Sequence, residues 1–153
     1  MTETKKSHLF KMALILLGVF AVSGPSLAQT AAETATQWQV LGTWQTDCKA
    51  PINELNMAYT FMVRGGQLFL DRNYGRGSDS SPITKATLTA DGALVLVINY
   101  AQYSLLYENV LVKGGDGRFQ MVEIKNIKTN QYSIKDGKKV IDGTSPEWWT
   151  RCH

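Results

Sequence analysis

Histidine is scarce in this 153-residue chain, which contains only His8 and His153. Hydrolytic sites of the Ser-His-Asp and Cys-His types need an imidazole held in a fixed position, and His153 is the last residue of the sequence. A zinc site built from histidines lacks ligands for the same reason. We therefore predict no catalytic residue of these types, no metal site and no bound cofactor.

Long apolar runs are also absent. The longest near the N-terminus, Met12–Val22, is shorter than the roughly 20 residues that span a bilayer. Three lysines precede it, and the small residues Ser26 and Ala28 follow it. This order predicts a secretory signal peptide over residues 1–28, cleaved after Ala28, which would touch the membrane only before cleavage. An uncleaved membrane anchor is the alternative.

The chain has no excess of one charge once that segment is set aside. Residues 1–28 hold three lysines and one acid, so of the totals of 16 Lys+Arg and 13 Asp+Glu the remaining chain keeps 13 and 12. A nearly neutral surface gives no field with which to hold a polyanion, so nucleic acid is not an expected partner.

Cysteine occurs twice, as Cys48 and Cys152. An even pair in an exported protein predicts a disulfide bond, because the compartment outside the cytoplasm is oxidising. The Cys-x-x-Cys spacing of thiol oxidoreductases is absent, so a redox-active pair is the weaker alternative.

Short runs with strand character alternate with glycine-containing turns along the rest of the chain, such as Asp91-Gly92 and Asp136-Gly137. No window shows a sustained helical stripe. The pattern predicts an all-β domain over residues 38–153, a single antiparallel barrel or closed sandwich of about eight strands. Residues 29–37 are predicted to form a flexible tail, with a short helix over residues 31–36 as the alternative.

Three segments carry more specific predictions. The run Ala93–Tyr100 is apolar on both faces for most of its length, so we expect it to be covered on both sides. The irregular alternation between Phe119 and Ile127 suggests a β-bulge. The glycine- and serine-rich segment Asn73–Pro82 is predicted to be a mobile loop at the rim of the barrel.

The sequence Gly42-Thr43-Trp44 opens the first predicted strand, and Arg151 lies near the end of the last one. This combination resembles lipocalin-like barrels, in which the tryptophan closes one end of the barrel and the arginine lies across its ring. The resemblance implies that Trp44 and Arg151 form such a plug, with a cation–π contact between them. A core tryptophan in another type of sandwich is the alternative.

A second resemblance rests on the start, Trp44-x-x-x-Cys48, and on the ending Ser145–Cys152. These segments are similar to a family of small secreted proteins of Gram-negative bacteria, for which no activity is established. The resemblance implies a periplasmic or secreted location and supports the disulfide bond. A looser similarity, to small secreted barrel inhibitors of metalloproteases, implies an inhibitory N-terminal tail over residues 29–36.

Aromatic side chains are the main remaining resource for function. If they point inward, the four tyrosines Tyr59, Tyr100, Tyr107 and Tyr132 would line an amphipathic pocket. The alternative is that they pack in the core or lie on the outer surface. Arg76, within Tyr74–Ser78, is a candidate for binding an anion.

A carboxylate-dependent enzyme is a further alternative, since four acids could meet in space: Asp71, Glu108, Glu123 and Asp142. Our leading expectation is a non-enzymatic, periplasmic binding module. Its expected partner is a small apolar ligand or a protein of the cell envelope. A secreted protease inhibitor is the second expectation.

Overall fold

The computed structural model of the protein describes residues 29–153, so the predicted signal peptide lies outside the described residues. The elements in chain order are α1 (Ala31–Trp38), β1 (Gly42–Gln45), β2 (Ala58–Arg64), β3 (Gln67–Asn73), β4 (Ser78–Leu88), β5 (Leu94–Tyr100), a 3₁₀ turn (Ala101–Tyr103), β6 (Leu105–Lys113), β7 (Phe119–Asn126), β8 (Tyr132–Lys135), β9 (Lys138–Lys139) and β10 (Trp148–Cys152). Within this part of the chain, no helix has the length and apolar character needed to cross a bilayer.

Eight of these strands close into an antiparallel barrel. Strands β1 to β7 follow one another round the wall, and β10 lies between β7 and β1. Strands β8 and β9 form a hairpin that extends from the far part of β7. The predicted all-β antiparallel barrel of about eight strands is confirmed.

Alternation along the strands builds the interior. In β5, every second residue from Leu94 to Tyr100 is buried, while the intervening residues are half-buried. The expected covering of both faces is therefore complete on the inner face and partial on the outer one. The predicted bulge is present in β7, where the register with β6 shifts between Glu123 and Met121.

Helix α1 replaces most of the flexible tail predicted for residues 29–37, so that prediction is wrong and the alternative of a short helix is correct. Thr30 and Glu33 form a reciprocal capping box at its N-terminus. The helix buries Ala35 and Trp38, and the Trp38 indole donates a hydrogen bond to the Gly92 carbonyl at 2.9 Å. The composition of this segment is that of a linker. The capping box and the buried contacts nevertheless hold it in a helix.

The mobile loop predicted for Asn73–Pro82 is also wrong over its second half. Strand β4 begins at Ser78 and pairs with β3, so that Asp79 lies opposite Arg72 and Ser81 opposite Leu70. Small polar residues point into the barrel here and are buried. Serine and aspartate are uncommon in strands, so the composition of this segment suggested a loop. It is a strand because it pairs with β3, which directly precedes it in the chain.

The disulfide bond predicted between Cys48 and Cys152 is present, with the two Cα atoms 5.5 Å apart. It joins the loop after β1 to the end of β10. The same strands pair Trp44 with Arg151 and Gln45 with Thr150. The bond thus fastens the first strand of the barrel to the last.

Candidate ligand-binding site

The two ends of the barrel differ. At one end, α1 packs beside the turn between β4 and β5, and the Lys113 ammonium at the end of β6 lies 4.7 Å from the centre of the Trp38 ring. Five aromatic side chains fill the interior next to this helix: Trp38, Trp44, Phe61, Phe119 and Trp149. This end is closed by side chains and by the helix.

A cavity of about 460 Å³ lies at the opposite end. Its wall includes the apolar side chains of Leu105, Met121 and Ile124. The polar groups that face it come mainly from tyrosines, together with Arg72, Asn109 and Ser133. A concave, mostly apolar space with a few polar groups is the general form of a site for a small molecule.

The polar character of the cavity follows from the strand pattern. On β3, the inward positions run Leu68, Leu70 and Arg72, so the inner face changes from aliphatic to charged towards the open end. On β6 the corresponding positions are Tyr107, Asn109 and Leu111, in the reverse order because the strand runs the other way. The polar inward residues of the two strands thus lie at the same end of the barrel.

Arg72 forms the main ion pair at this end. Its Nε donates to Asp79 Oδ1 at 2.8 Å, and its Nη2 donates to Asp79 Oδ2. Gln102 Nε2 also donates to Asp79 Oδ2, at 3.0 Å. The carboxylate side chain is only 2% exposed and that of Arg72 is 20% exposed. Paired in this way, the two charges balance each other locally.

Neighbouring aromatic rings hold the guanidinium from the other side. The Arg72 Cζ lies 4.3 Å from the centre of the Tyr100 ring. Burial lowers the pKa of Arg72, but the hydrogen bond to Asp79 and the charges around it outweigh that effect and raise the pKa overall. The guanidinium is therefore protonated at neutral pH.

Tyr59 and Tyr100 are neutral hydrogen-bonding groups in this site. Burial raises the pKa of both phenols, and for Tyr59 the nearby Arg72 opposes part of the increase. Tyr59 packs on Trp149 with ring centres 4.3 Å apart, and Tyr100 meets Tyr107 edge to face at 5.8 Å. These contacts fix the rings in the wall rather than leaving them free in the cavity.

Asn109 is the unusual member of the lining. The residue is 4% exposed, and its Oδ1 has no hydrogen-bond partner within residues 29–153. Its register partners are Leu96 on β5 and Ile124 on β7, which offer only apolar side chains. Buried amide groups in proteins are nearly always satisfied, so this one points to a partner that is not part of the chain.

The structure brings three of the five predicted ligand-binding residues together, namely Tyr59, Tyr100 and Tyr107. Tyr132 lies elsewhere, on β8, with the ammonium groups of Lys125 and Lys135 5.5 and 5.3 Å from its ring centre. Tyr132 does not line the cavity: its neighbour Ser133 on β8 does, while the Tyr132 ring lies against the two lysines.

Arg76 is likewise outside the cavity. It lines a separate recess of about 420 Å³ with Tyr74, Gly75 and the segment Ile52–Leu55. The turn that carries Arg76 packs against this neighbouring loop, since a Cβ atom added at Gly75 would lie 2.6 Å from the Ile52 carbonyl oxygen. Sequence reasoning missed Arg72 and Asn109, although the inward alternation of β3 and of β6 marks both positions.

Trp44 and Arg151 lie on neighbouring strands near the closed end. Trp44 is 3% exposed, its indole donates to the Val40 carbonyl at 2.7 Å, and its ring meets Phe119 at 4.8 Å. The Arg151 Cζ lies 5.8 Å from the centre of the Trp44 ring, and its Nη2 donates to the Leu41 carbonyl. Arg151 thus ties the strand end to the chain that leaves α1.

The four acids considered for a carboxylate enzyme do not form one cluster. Asp71 pairs with Arg64 at 2.8 Å, and Asp142 accepts hydrogen bonds from Thr144 in the turn after β9. Over residues 29–153, no group of three or more His, Cys, Asp or Glu side chains is placed to hold a metal ion.

Comparison with known proteins adds no family assignment. No protein-family model matches the chain, and neither a curated protein nor a solved structure matches it.

Proposed function

We propose that the chain is an exported binding protein of the bacterial periplasm that holds a small, largely apolar molecule in the open end of its barrel, without catalysing a reaction. The single observation that carries the proposal is the cavity between Leu105, Met121 and Ile124, closed below by aromatic side chains and lined above by tyrosines. A barrel closed at one end and open to a ligand at the other would be lipocalin-like. The Gly42-Thr-Trp44 start and Arg151 support this likeness.

The disulfide between Cys48 and Cys152 supports export, because such bonds persist outside the reducing cytoplasm. The proposed signal peptide over residues 1–28 accounts for the route. Intact mass of the protein recovered from the periplasm tests both points. It should correspond to residues 29–153 and should gain no alkyl groups unless the sample is first reduced.

The alternative of a protease inhibitor has less support. It requires an N-terminal segment that can extend into a protease cleft, whereas Ala31–Trp38 is a helix with Ala35 and Trp38 in the core. To free this segment, the protein would have to expose the closed end of the barrel.

Filling the cavity tests the proposal directly. Native mass spectrometry of the periplasmic protein should show an added small molecule, and organic extraction should release it. The variant Met121→Trp places a large ring in the cavity and should lose that mass. Thr87→Trp adds the same ring at an exposed position of β4 and should keep it. Equal ligand content in both variants would place binding outside the barrel.

A further inference from the structure

We propose that the bound molecule is uncharged and carries an N–H or O–H group that donates a hydrogen bond to Asn109 inside the cavity. This inference rests on the proposed function and deepens it, because it names the chemistry that the site selects. The juxtaposition that carries it is a buried amide oxygen without a partner among the described residues, on a residue that lines the cavity.

The position of Asn109 gives its amide no partner within the wall. It is an inward residue of β6, flanked on the two adjoining strands by Leu96 and Ile124. An aliphatic residue at position 109 would extend the apolar interior that begins at Leu111 and would leave no hydrogen-bonding group unsatisfied. Leaving a buried acceptor unpaired is costly, whereas a ligand that donates to it removes that cost on binding.

Charge in the lining indicates that the ligand is neutral. Of the described residues that line the cavity, Arg72 is the one that carries a charge, and both oxygens of Asp79 already accept hydrogen bonds from it. Gln102 completes the shell of that carboxylate. An ionic ligand would lose its hydration at this depth without meeting a free counter-charge.

Three fluorescent probes that share one ring system separate these requirements. N-Phenyl-1-naphthylamine is neutral and has a single N–H donor. Its N-methyl derivative is neutral and has no donor. 8-Anilino-1-naphthalenesulfonate keeps the N–H but adds a sulfonate directly beside it, so that the charge enters wherever the donor does. Each probe brightens in an apolar site, so titration with the full mature protein gives three dissociation constants.

We expect the wild type to bind the N–H probe about 10-fold more tightly than its N-methyl derivative, since one hydrogen bond to a buried acceptor is worth roughly that factor. The sulfonate should bind more weakly than the neutral N–H probe. The variant Asn109→Leu keeps the volume but removes the acceptor, and it should bind the two neutral probes equally. The control variant Met121→Leu changes another lining residue and should keep the preference for N–H.

The outcomes separate this inference from the function on which it rests. If all probes bind but the wild type and Asn109→Leu show the same ratio for the neutral pair, the donor assignment is wrong while the cavity still binds. If the sulfonate binds as tightly as the neutral N–H probe, the requirement for a neutral ligand is wrong. If no probe binds the wild type up to its solubility limit, the cavity is not a binding site and both proposals fail. Even if Asn109→Leu does not fold, equal affinity of the wild type for the two neutral probes would overturn the donor assignment.

Discussion

Arg72 and Asp79 face each other across β3 and β4 and are joined by two hydrogen bonds inside the mouth of the barrel. This pair places one positive and one negative charge in the barrel, next to the buried inward positions Leu70 on β3 and Ser81 on β4. A buried charge pair is stable only while both members are present, since either one alone would be an uncompensated charge.

The variant Asp79→Ala should therefore lower the free energy of unfolding by about 3–5 kcal/mol, measured by urea titration. Asp71→Ala on the same strand β3 is the control. It breaks the pair with Arg64, in which the side chains are 43% and 31% exposed, and should cost only about 0–1 kcal/mol. Similar losses for the two variants would show that the inner pair is as well hydrated as the outer one.

Stability should fall at alkaline pH because of Tyr59 and Tyr100. Burial raises the pKa of both phenols in the folded protein, whereas in the unfolded chain they ionise near the ordinary value of about 10. Above that pH the unfolded chain binds fewer protons than the folded one, so the free energy of unfolding decreases as pH rises. Below it, the contribution is fully present.

Urea midpoints measured from pH 8 to about pH 11 would show this decline. The double variant Tyr59→Phe/Tyr100→Phe removes both ionisable groups and should flatten the curve above about pH 10. An equally steep decline in the double variant would assign the alkaline limb to other groups.

Trp44 and Arg151 should couple energetically. Trp44→Ala empties a buried aromatic site and should cost about 3–5 kcal/mol. Arg151→Ala should cost less, and the double-mutant cycle should give a coupling of about 0.5–1 kcal/mol, as expected for a cation near a ring at the surface. As a control, Arg64 pairs with Asp71 instead of a tryptophan. The losses of Trp44→Ala and Arg64→Ala should therefore add without coupling. If the losses were additive in both cycles, the contact between Arg151 and the Trp44 ring would contribute no stability.

Gly42 is needed for the approach of that arginine. Its φ is +121°, and a Cβ atom added there would lie 3.0 Å from both Nε and Nη2 of Arg151. Gly42→Ala should therefore destabilise the protein by more than about 1 kcal/mol, and the added variant Arg151→Ala should recover only part of the loss, because the backbone strain persists. Gly115→Ala, which meets no atom within 4 Å, is the control and should be nearly neutral.

Local pattern and compartment predicted much of this fold. Turn glycines and alternating strands indicate the barrel, and two cysteines in a chain predicted to be exported indicate the disulfide. The inward direction of Tyr59, Tyr100 and Tyr107 follows from alternation with buried neighbours.

Alternation with Leu68 and Leu70 marks Arg72 as an inward position, but the partner of its charge was not predictable by the same reasoning. An arginine or aspartate in a strand is expected to face water, and only the β3–β4 register sets Arg72 against Asp79. The serines before Pro82 suggest a loop by composition, but pairing with β3 makes them a strand. Tyr132 alternates with its neighbours as the other tyrosines do, but alternation alone does not say which face points inward, and on β8 it is Ser133 that lines the cavity.

The last strand fastens the barrel unequally on its two sides. On one side β10 pairs with β1 from Gln45 to Thr43 and is tied there by the disulfide. On the other side it meets β7 only through Trp148 and Trp149. The wall therefore has a seam, and transient opening should begin along β7 while β10 stays attached to β1. Amide hydrogens at this seam should exchange with solvent faster than those between β5 and β6, and reducing the disulfide should allow β10 to detach from both neighbours.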